Sequence, residues 1–246
     1  MTNQLKLQQL LKLLDLTRLT DNDNSTEMAA WLAEHMLSAK LPAAFCVYPA
    51  FLGQCRARLA ELGVQSTLAT VVNFPTGNAA ADMVVQEIQQ ALALGADEID
   101  CVLPYQALLA GDTGRVKSFL YDVREACGKA CLKIIIESGE LVTPQQIIKA
   151  TELAIECGAD FVKSSTGKVP VGITMEAARI MLTVIAAAKR PVGFKASGGV
   201  RTVAQALELM AMYEDITGRL AQPELMRIGA SVLFTELSAL LAEPQA

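Results

Sequence analysis

The sequence predicts an α/β fold, a single (β/α)8 TIM barrel with an extra N-terminal helix. Short apolar runs alternate with amphipathic helical patterns along all 246 residues. Predicted strand ends recur about every 30 residues, which is the length of one βα unit. The chain length is also usual for one such barrel. No linker or shift in composition marks a boundary, so we expect residues 1–246 to form one domain.

Eight apolar runs are the candidate strands of this barrel. Between them, apolar residues recur at helical spacing, as in Ala178, Met181, Leu182 and Ile185, which is typical of a helix that buries one face. The segment before Asp15 predicts a helix that closes the barrel floor. The candidate strands are Leu13–Thr17, Ala44–Tyr48, Thr67–Phe74, Glu98–Leu103, Leu132–Glu137, Phe161–Ser164, Val192–Ala196 and Met226–Gly229.

The composition argues against a membrane protein and against a nucleic-acid-binding protein. Hydrophobic residues make up 52% of the chain, but no apolar run approaches the roughly 18 residues of a membrane span. The net charge of -5 at pH 7 disfavours a nucleic-acid surface. The start of the chain lacks the basic and continuously apolar segments of a signal peptide. We therefore expect a cytoplasmic protein that binds neither nucleic acid nor membrane.

Histidine and cysteine chemistry has little support in the sequence. His35 is the single histidine and lies in an ordinary amphipathic pattern, so we expect it to be structural or on the surface. A Ser-His-Asp site would depend on this one residue, and a zinc-dependent aldolase, which is built on several histidine ligands, is excluded. The six cysteines lack the paired spacing of zinc sites, and we expect them to be reduced, small apolar side chains.

Two lysines occupy matching positions in two similar segments, Phe161–Gly167 and Gly193–Gly199. Burying an ammonium group is costly unless it is paired or loses its proton. If the two strands are neighbours, the amines of Lys163 and Lys195 would lie roughly 5 to 7 Å apart, and repulsion would lower a lysine pKa by about two units. The pair therefore predicts a Schiff-base nucleophile. The alternative is that both lysines cap strand ends and point into solvent.

Asp100 lies in the apolar run that predicts the fourth strand. Strand alternation puts Glu98, Asp100 and Val102 on one face of that strand. A buried carboxylate needs a cationic partner, and the two lysines are available. Asp100 could then shuttle protons while a carbinolamine forms and loses water; the alternative is a strand-end salt bridge. Lys133 and Glu137 are weaker candidates, either for a direct role or for ion-pair support.

Glycine-rich segments after the sixth, seventh and eighth predicted strands indicate a phosphate site at the barrel mouth. The segments Gly198–Thr202 and Gly229–Ser231 lead into helices, whose first backbone N–H groups bind phosphate well. Gly167 and Lys168 could add an amide and a cation. The alternative is that these glycines only make tight turns. The sequence has no Walker A pattern, so a sugar phosphate is a better candidate than a nucleotide.

Over nearly its full length the chain resembles the deoxyribose-phosphate aldolase family, whose members are Schiff-base aldolases on a TIM barrel. Two stretches, GADFVKSSTG at 158–167 and GFKASGGVRT at 193–202, are highly specific to that family. The weaker matches are Asp15–Thr17, Cys46–Pro49, Asn73–Gly77, Gly95–Asp100 and Lys133–Glu137.

The resemblance implies reversible cleavage of 2-deoxy-D-ribose 5-phosphate to D-glyceraldehyde 3-phosphate and acetaldehyde, without a metal or organic cofactor. It implies that Lys163 forms the Schiff base, that Lys195 lowers the pKa of Lys163, and that Asp100 relays protons. The partners it implies are a sugar phosphate and acetaldehyde; a homodimer is compatible with the sequence but not required by it. The other implied binding residues are Gly167, Lys168, Gly198, Gly199, Arg201, Gly229, Ser231, Asp15, Thr17 and Cys46.

The chain departs from the family pattern at several positions. Ser164 and Ala196 stand where many relatives have Thr and Pro, and Val232 stands where a second serine often follows Ser231. The last residues, Pro244-Gln245-Ala246, include no tyrosine, whereas some relatives end in a tyrosine that reaches the site. Three alternatives stay open, namely a Schiff-base aldolase with another donor, a sugar-phosphate isomerase, and a sugar-phosphate binder without catalysis.

Overall fold

A computed structural model of the protein describes residues 3–37 and 41–242. Eight parallel strands form a closed barrel, in which each strand pairs with the next along the chain and the eighth pairs with the first. This arrangement confirms the predicted (β/α)8 TIM barrel, and a helix precedes the first strand as predicted. Residues 243–246, on which the expectation about a missing tyrosine falls, lie outside the described residues.

The predicted strands are all present, and their ends differ from the predicted ends by at most two residues. Apolar runs bounded by turn residues were therefore a sufficient signal for the barrel wall. The strands are β1 Leu14–Arg18, β2 Ala44–Val47, β3 Thr67–Val72, β4 Glu98–Val102, β5 Cys131–Ile135, β6 Phe161–Lys163, β7 Gly193–Ser197 and β8 Met226–Ala230.

Helices surround the barrel and connect its strands. Several begin at side-chain caps, such as α7 at Thr143, whose hydroxyl accepts a hydrogen bond from the backbone N–H of Gln146. The helices are α1 Asn3–Leu13, α2 Ser25–His35, α3 Leu52–Leu62, α4 Ala81–Ala93, α5 Tyr105–Leu109, α6 Thr113–Cys127, α7 Pro144–Glu156, α8 Met175–Ala186, α9 Val203–Thr217 and α10 Leu233–Ala242.

Side chains alternate between the two faces of each barrel strand. Ile99, Val162 and Phe194 are fully buried in the apolar core between the strands and the helices. Because successive side chains of a strand point to opposite faces, the next residue in each case points into the barrel. Those three residues are Asp100, Lys163 and Lys195. The same alternation that builds the outer core therefore delivers the charged residues to the barrel interior.

Helix α1 covers the amino-terminal end of the barrel. Leu7, Leu10 and Leu13 are buried, and they belong to the main apolar core. The Gln9 side chain donates a hydrogen bond of 2.8 Å to the carbonyl oxygen of Ala221, in the connection that precedes β8. The barrel floor is thus closed by packing and by backbone contacts, and the opposite end of the barrel is left for a site.

The cysteines and the single histidine are packing residues. All six cysteines are free, and five are buried. His35 is also buried, with its ring stacked on Trp31 at 5.1 Å between centroids. Its Nδ1 lies 3.0 Å from the carbonyl oxygen of Trp31. No helix within the described residues is long and apolar enough to cross a membrane.

Candidate active site

The carboxyl ends of β4, β6 and β7 bring one carboxylate and two amines together. Lys163 on β6 and Lys195 on β7 are paired neighbours in the strand register. Both Nζ atoms donate to the same oxygen, Asp100 Oδ2, at 2.7 Å. The two nitrogens therefore lie at most twice that distance, 5.4 Å, apart. The expected approach of the two lysines is present, and the proposed relay carboxylate lies between them.

Four further charged side chains extend this group toward the barrel floor. Lys133 on β5 donates to Asp100 at 2.9 Å and also to Glu98. Asp15 on β1 forms an ion pair with Lys195 at 2.5 Å and accepts a hydrogen bond from Arg227 at 2.6 Å. Arg227 on β8 also donates to Glu98 at 2.9 Å. These contacts join seven buried charged residues, which we call the interior network: Asp15, Glu98, Asp100, Lys133, Lys163, Lys195 and Arg227.

The two lysines of the pair differ in their proton affinity. Burial lowers the pKa of Lys163 below its ordinary value; Asp100 opposes this effect, and repulsion from Lys195 reinforces it. Burial acts in the same direction on Lys195, but Asp100 and Asp15 together outweigh it and raise the pKa of Lys195. Lys163 is therefore the amine that loses its proton more easily, while Lys195 stays an ammonium ion.

The sequence-based explanation of this difference needs a correction. Repulsion between the two lysines was expected to be the main cause of a lowered pKa, whereas desolvation of the buried Lys163 is the larger cause and Lys195 is a secondary one. Asp100 remains ionised, because its three lysine neighbours hold its pKa well below the usual range despite burial, which would raise it. A fully buried amine is costly to charge even when a carboxylate is near.

An open cleft of about 890 Å³ lies above the lysines at the carboxyl end of the barrel. Asp15 and Cys46 do not lie on its wall, because both are fully buried inside the barrel beneath it. Thr17 lies at its edge and donates a hydrogen bond to the backbone of Asp15. The expected site residues that line the cleft are Lys163, Gly167, Lys168, Gly198, Gly199, Arg201, Gly229, Ser231 and Thr17.

Glu137 organises the loop that follows β6. It is fully buried two residues after the end of β5, and its carboxylate accepts hydrogen bonds from the hydroxyl groups of Ser165 and Thr166 and from the Thr166 N–H. The Ser165 hydroxyl oxygen in turn accepts from the Gly167 N–H at 3.1 Å, and that of Thr166 from the Lys168 N–H at 3.0 Å. The Gly167 and Lys168 amides are therefore engaged within the loop, and the charged group that the loop brings to the cleft is the Lys168 side chain.

The Lys168 ammonium group is paired across the cleft mouth. Its Nζ lies 2.7 Å from Asp21 Oδ1, in the loop between β1 and α2. The Tyr48 hydroxyl donates to the same oxygen at 3.2 Å. The hydrogen bond from Lys168 lowers the pKa of Asp21, so the carboxylate is ionised at neutral pH. An anion that binds to Lys168 would have to share it with Asp21 or displace Asp21.

The loops after β6, β7 and β8 approach each other closely. Ser197 donates a hydrogen bond of 2.6 Å to the Ser165 carbonyl oxygen. A Cβ atom on Gly198, which has a φ of 82°, would lie 2.9 Å from the Ser165 hydroxyl oxygen. A Cβ atom on Gly229 would lie 3.1 Å from the Lys195 side chain. Glycine suits both positions, since a side chain at Gly198 would collide with Ser165 and one at Gly229 would crowd Lys195. The helices that follow, α9 and α10, begin beside the cleft.

Several residues of the site were not singled out by the sequence. Arg227 carries the same signal as Asp100, a charge between apolar residues of a short strand, and it could have been found in that way. One wall of the cleft is formed by Arg18, Trp31 and His35. This wall could not have been found from the sequence, because it depends on how α2 packs against the barrel.

The fold and these side chains define a class of protein, a parallel barrel with a buried, carboxylate-bridged lysine pair below a glycine-rich mouth. The chain belongs to the DeoC/LacD family of aldolases, whose family model matches residues 9–233. It is therefore a lyase of the aldolase type on a TIM barrel.

Solved structures with the same fold include three that cover almost the whole chain. A candidate deoxyribose-phosphate aldolase from Coccidioides immitis is 27% identical, with a TM-score of 0.83 over 94% of this chain and 87% of that one. One from Toxoplasma gondii ME49 is 24% identical, with a TM-score of 0.88 over 99% and 98%. The deoxyribose phosphate aldolase of Aeropyrum pernix is 23% identical, with a TM-score of 0.73 over 98% and 99%. At 24% and 23% identity, the last two similarities show a shared fold and no more.

Proposed function

We propose that the protein is a deoxyribose-phosphate aldolase. It would reversibly cleave 2-deoxy-D-ribose 5-phosphate to D-glyceraldehyde 3-phosphate and acetaldehyde through a Schiff base on Lys163, in deoxyribose phosphate catabolism in the cytoplasm. The observation that carries the proposal is Lys163 itself. It is a buried amine with a lowered pKa that borders the cleft and lies 2.7 Å from an ionised carboxylate.

The first chemical step needs an uncharged amine. Neutral Lys163 attacks the aldehyde carbon of the open-chain sugar and forms a carbinolamine, which loses water to give an iminium ion. Protons must leave the nitrogen and reach the departing oxygen. Asp100 is placed to accept and return protons, and Lys195 is the ammonium ion from which Asp100 can draw.

The bond-breaking step uses the iminium as an electron sink. Loss of the proton from the C3 hydroxyl group forms the aldehyde of glyceraldehyde 3-phosphate, and the electrons of the C2–C3 bond move into the iminium to give an enamine. Protonation of the enamine at C2 and hydrolysis release acetaldehyde and restore Lys163. The reverse sequence makes the same bond, so one set of groups serves both directions.

The cleft mouth supplies groups suited to the substrate's phosphate. Lys168 and Arg201 are cationic, and the loops after β7 and β8 lead into α9 and α10. The partial positive charge of a helix N-terminus favours a bound anion. Val232, where a second serine often follows in the family pattern, offers no hydroxyl group, so the backbone and the Ser231 side chain would carry the binding there.

The direct test is chemical trapping of the imine. Treatment with acetaldehyde and cyanoborohydride should add one ethyl group to Lys163, located by mass mapping of peptides. Lys163→Met should abolish both the labelling and the turnover, whereas Lys149→Met, at an exposed lysine of α7, should leave both unchanged. Labelling of Lys163 that is no faster than labelling of exposed lysines such as Lys149, or turnover above a few per cent in Lys163→Met, would contradict the proposal. A sugar-phosphate isomerase would remain active after the treatment, because it needs no covalent lysine.

A further inference from the structure

The interior network contains more cations than carboxylates. Four of its members are cationic and three are anionic, within the part of the chain that the structure describes. The network is largely shielded from solvent, since none of the seven residues is more than 7% exposed. A net charge in such a place is unfavourable, and the usual response is that a group loses or gains a proton. One of the four cations should therefore give up its proton.

The contacts identify which cation is the least compensated. Lys133 contacts three carboxylates, and Lys195 and Arg227 contact two each. Lys163 contacts Asp100 alone, and Asp100 is shared with two other lysines. Lys163 is therefore the member whose ammonium form gains least from the network. The directions of the pKa values agree, because those of Lys133, Lys195 and Arg227 are raised and that of Lys163 is lowered.

Other groups that face the network do not change this balance. Burial raises the pKa values of the Cys46 and Cys131 thiols, so both are neutral. Phe161 presents its ring to Arg227 at 5.6 Å. Glu137 is buried but lies outside the network, where its carboxylate is satisfied by the hydroxyl and N–H groups of the β6 loop.

Arg227 and Glu98 belong to the network but lie away from the cleft. Glu98 is the first residue of β4 and Arg227 the second of β8, so both lie toward the barrel floor. Neither lines the cleft into which Lys163 opens. Arg227 pairs in register with Lys195, and Lys195 pairs with Lys163. With neighbouring strands about 4.8 Å apart, the Cα atoms of Arg227 and Lys163 are separated by about 10 Å.

We propose that Arg227 and Glu98 set how readily Lys163 gives up its proton, because they fix the excess of one cation in the interior network. Both are positioning residues that act on Lys163 through Asp15, Lys195, Lys133 and Asp100. The inference rests on the proposed function, in which neutral Lys163 is the nucleophile. Beyond that function, the protonation state of Lys163 depends on the net charge of the whole interior network as well as on the adjacent Lys195.

The test compares the pH dependence of Lys163 trapping in four proteins. The rate of ethyl labelling of Lys163 by acetaldehyde and cyanoborohydride is measured from pH 6 to 10 in the wild type, Arg227→Met, Glu98→Gln and the double variant. Arg227→Met leaves three cations and three carboxylates, so Lys163 keeps its proton more firmly. A unit charge about 10 Å away shifts a pKa by roughly one unit at an effective dielectric near 20, so the midpoint should rise by about one pH unit and labelling at pH 7 should fall about tenfold.

The other two variants should reverse this change. Glu98→Gln is nearly isosteric and removes an anion, so the midpoint should fall by about one pH unit. The double variant has three cations and two carboxylates, again an excess of one, and its midpoint should return to that of the wild type. A purely structural role would not make two harmful substitutions cancel in a pH profile. Arg56→Met removes an arginine of α3 that pairs with Asp97 outside the network and should leave the midpoint unchanged.

The outcomes separate this inference from the proposed function. If the wild type is not labelled at Lys163, the proposed function fails. If the wild type is labelled but both single variants keep its midpoint, or shift it in the same direction, the inference is overturned and the function stands. If Arg227→Met does not fold, Glu98→Gln alone tests the proposal. An unchanged or raised midpoint in the pH profile of Lys163 labelling in Glu98→Gln would contradict it.

Discussion

Two lysine–carboxylate pairs with the same separation occupy very different parts of the molecule. Lys163 and Asp100 are 2.7 Å apart in the barrel interior, where their side chains are 4% and 0% exposed. Lys168 and Asp21 are also 2.7 Å apart, but at the cleft mouth, where the exposures are 25% and 73%. The interior pair is held by strands and the mouth pair by loops. Burial, rather than distance, therefore decides what each pair can do.

In the interior, charges are coupled strongly enough to move proton equilibria. Removing one partner of a buried pair typically costs about 3 to 5 kcal/mol, because the other charge is left without compensation. An exposed pair is screened by water and salt and contributes little to stability. We therefore expect interior substitutions to change the chemistry and its pH dependence, and mouth substitutions to change only the binding of a charged substrate.

Among substitutions that leave Lys163 in place, the largest effect is expected for Asp100→Asn. This change removes the carboxylate that three lysines share, so proton transfer should slow and kcat should fall by about 100-fold or more. Labelling of Lys163 by acetaldehyde and cyanoborohydride should persist at pH 7, because an amine without its carboxylate holds its proton less firmly. Turnover and the exchange of acetaldehyde methyl hydrogens with deuterated water, followed by NMR, measure the slowed proton transfer, and mass mapping of peptides measures the labelling. Loss of labelling together with turnover would mean that Asp100 is needed to shape the site rather than to move protons.

A smaller interior effect is expected for Lys195→Leu. Without Lys195, repulsion on Lys163 disappears and Asp100 attracts Lys163 more strongly, so the pKa of Lys163 rises. Its neutral fraction at pH 7 then falls, and kcat/KM at that pH should drop about 10- to 100-fold, with the alkaline side of the profile recovering activity. Lys195→Arg keeps the cation and is the matched control. A pH profile of Lys195→Leu that matches the wild type would show that the two amines are not coupled.

The interior was largely predictable from the sequence. Strand alternation between apolar and charged residues directs Asp100, Lys163 and Lys195 inward, and the structure has them there. Lys133 and Arg227 carry the same signal in equally short strands, a charged residue between apolar ones, and the structure has both of them in the interior network. What alternation cannot give is which carboxylate each cation contacts, because that depends on the stagger of eight strands around a closed barrel.

The mouth was predictable only in outline. Glycines after the sixth, seventh and eighth strands indicated an anion site, and they do line one cleft. The engagement of the Gly167 and Lys168 amides by Ser165 and Thr166 depends on loop conformation, which no periodicity encodes. The contact of Lys168 with Asp21, 147 positions away along the chain, could not be predicted from the sequence either.

At the mouth, Ser231→Asp should weaken binding of phosphorylated substrate selectively. An added carboxylate repels a phosphate dianion but not a neutral sugar, so KM for 2-deoxy-D-ribose 5-phosphate should rise about tenfold while KM for free deoxyribose changes little. Ser118→Asp, at an exposed position of α6, adds the same charge away from the cleft and serves as control. Equal changes in KM for both sugars would mean that the substrate's phosphate does not bind beside Ser231.

The smallest effect is expected for Asp21→Asn, and it is a fall in KM for the phosphorylated substrate rather than a rise. Phosphate and Asp21 compete for the Lys168 ammonium group, so removing the carboxylate charge should lower KM for the phosphorylated substrate by about two- to fivefold, as suits an exposed pair. The gain should shrink as salt is added, since screening already weakens the competing pair. Asp122→Asn on α6 removes the same charge from the surface and should have no effect. A rise in KM would mean that Asp21 holds Lys168 in its binding position, and the exposed pair would then be part of the phosphate site rather than a competitor for it.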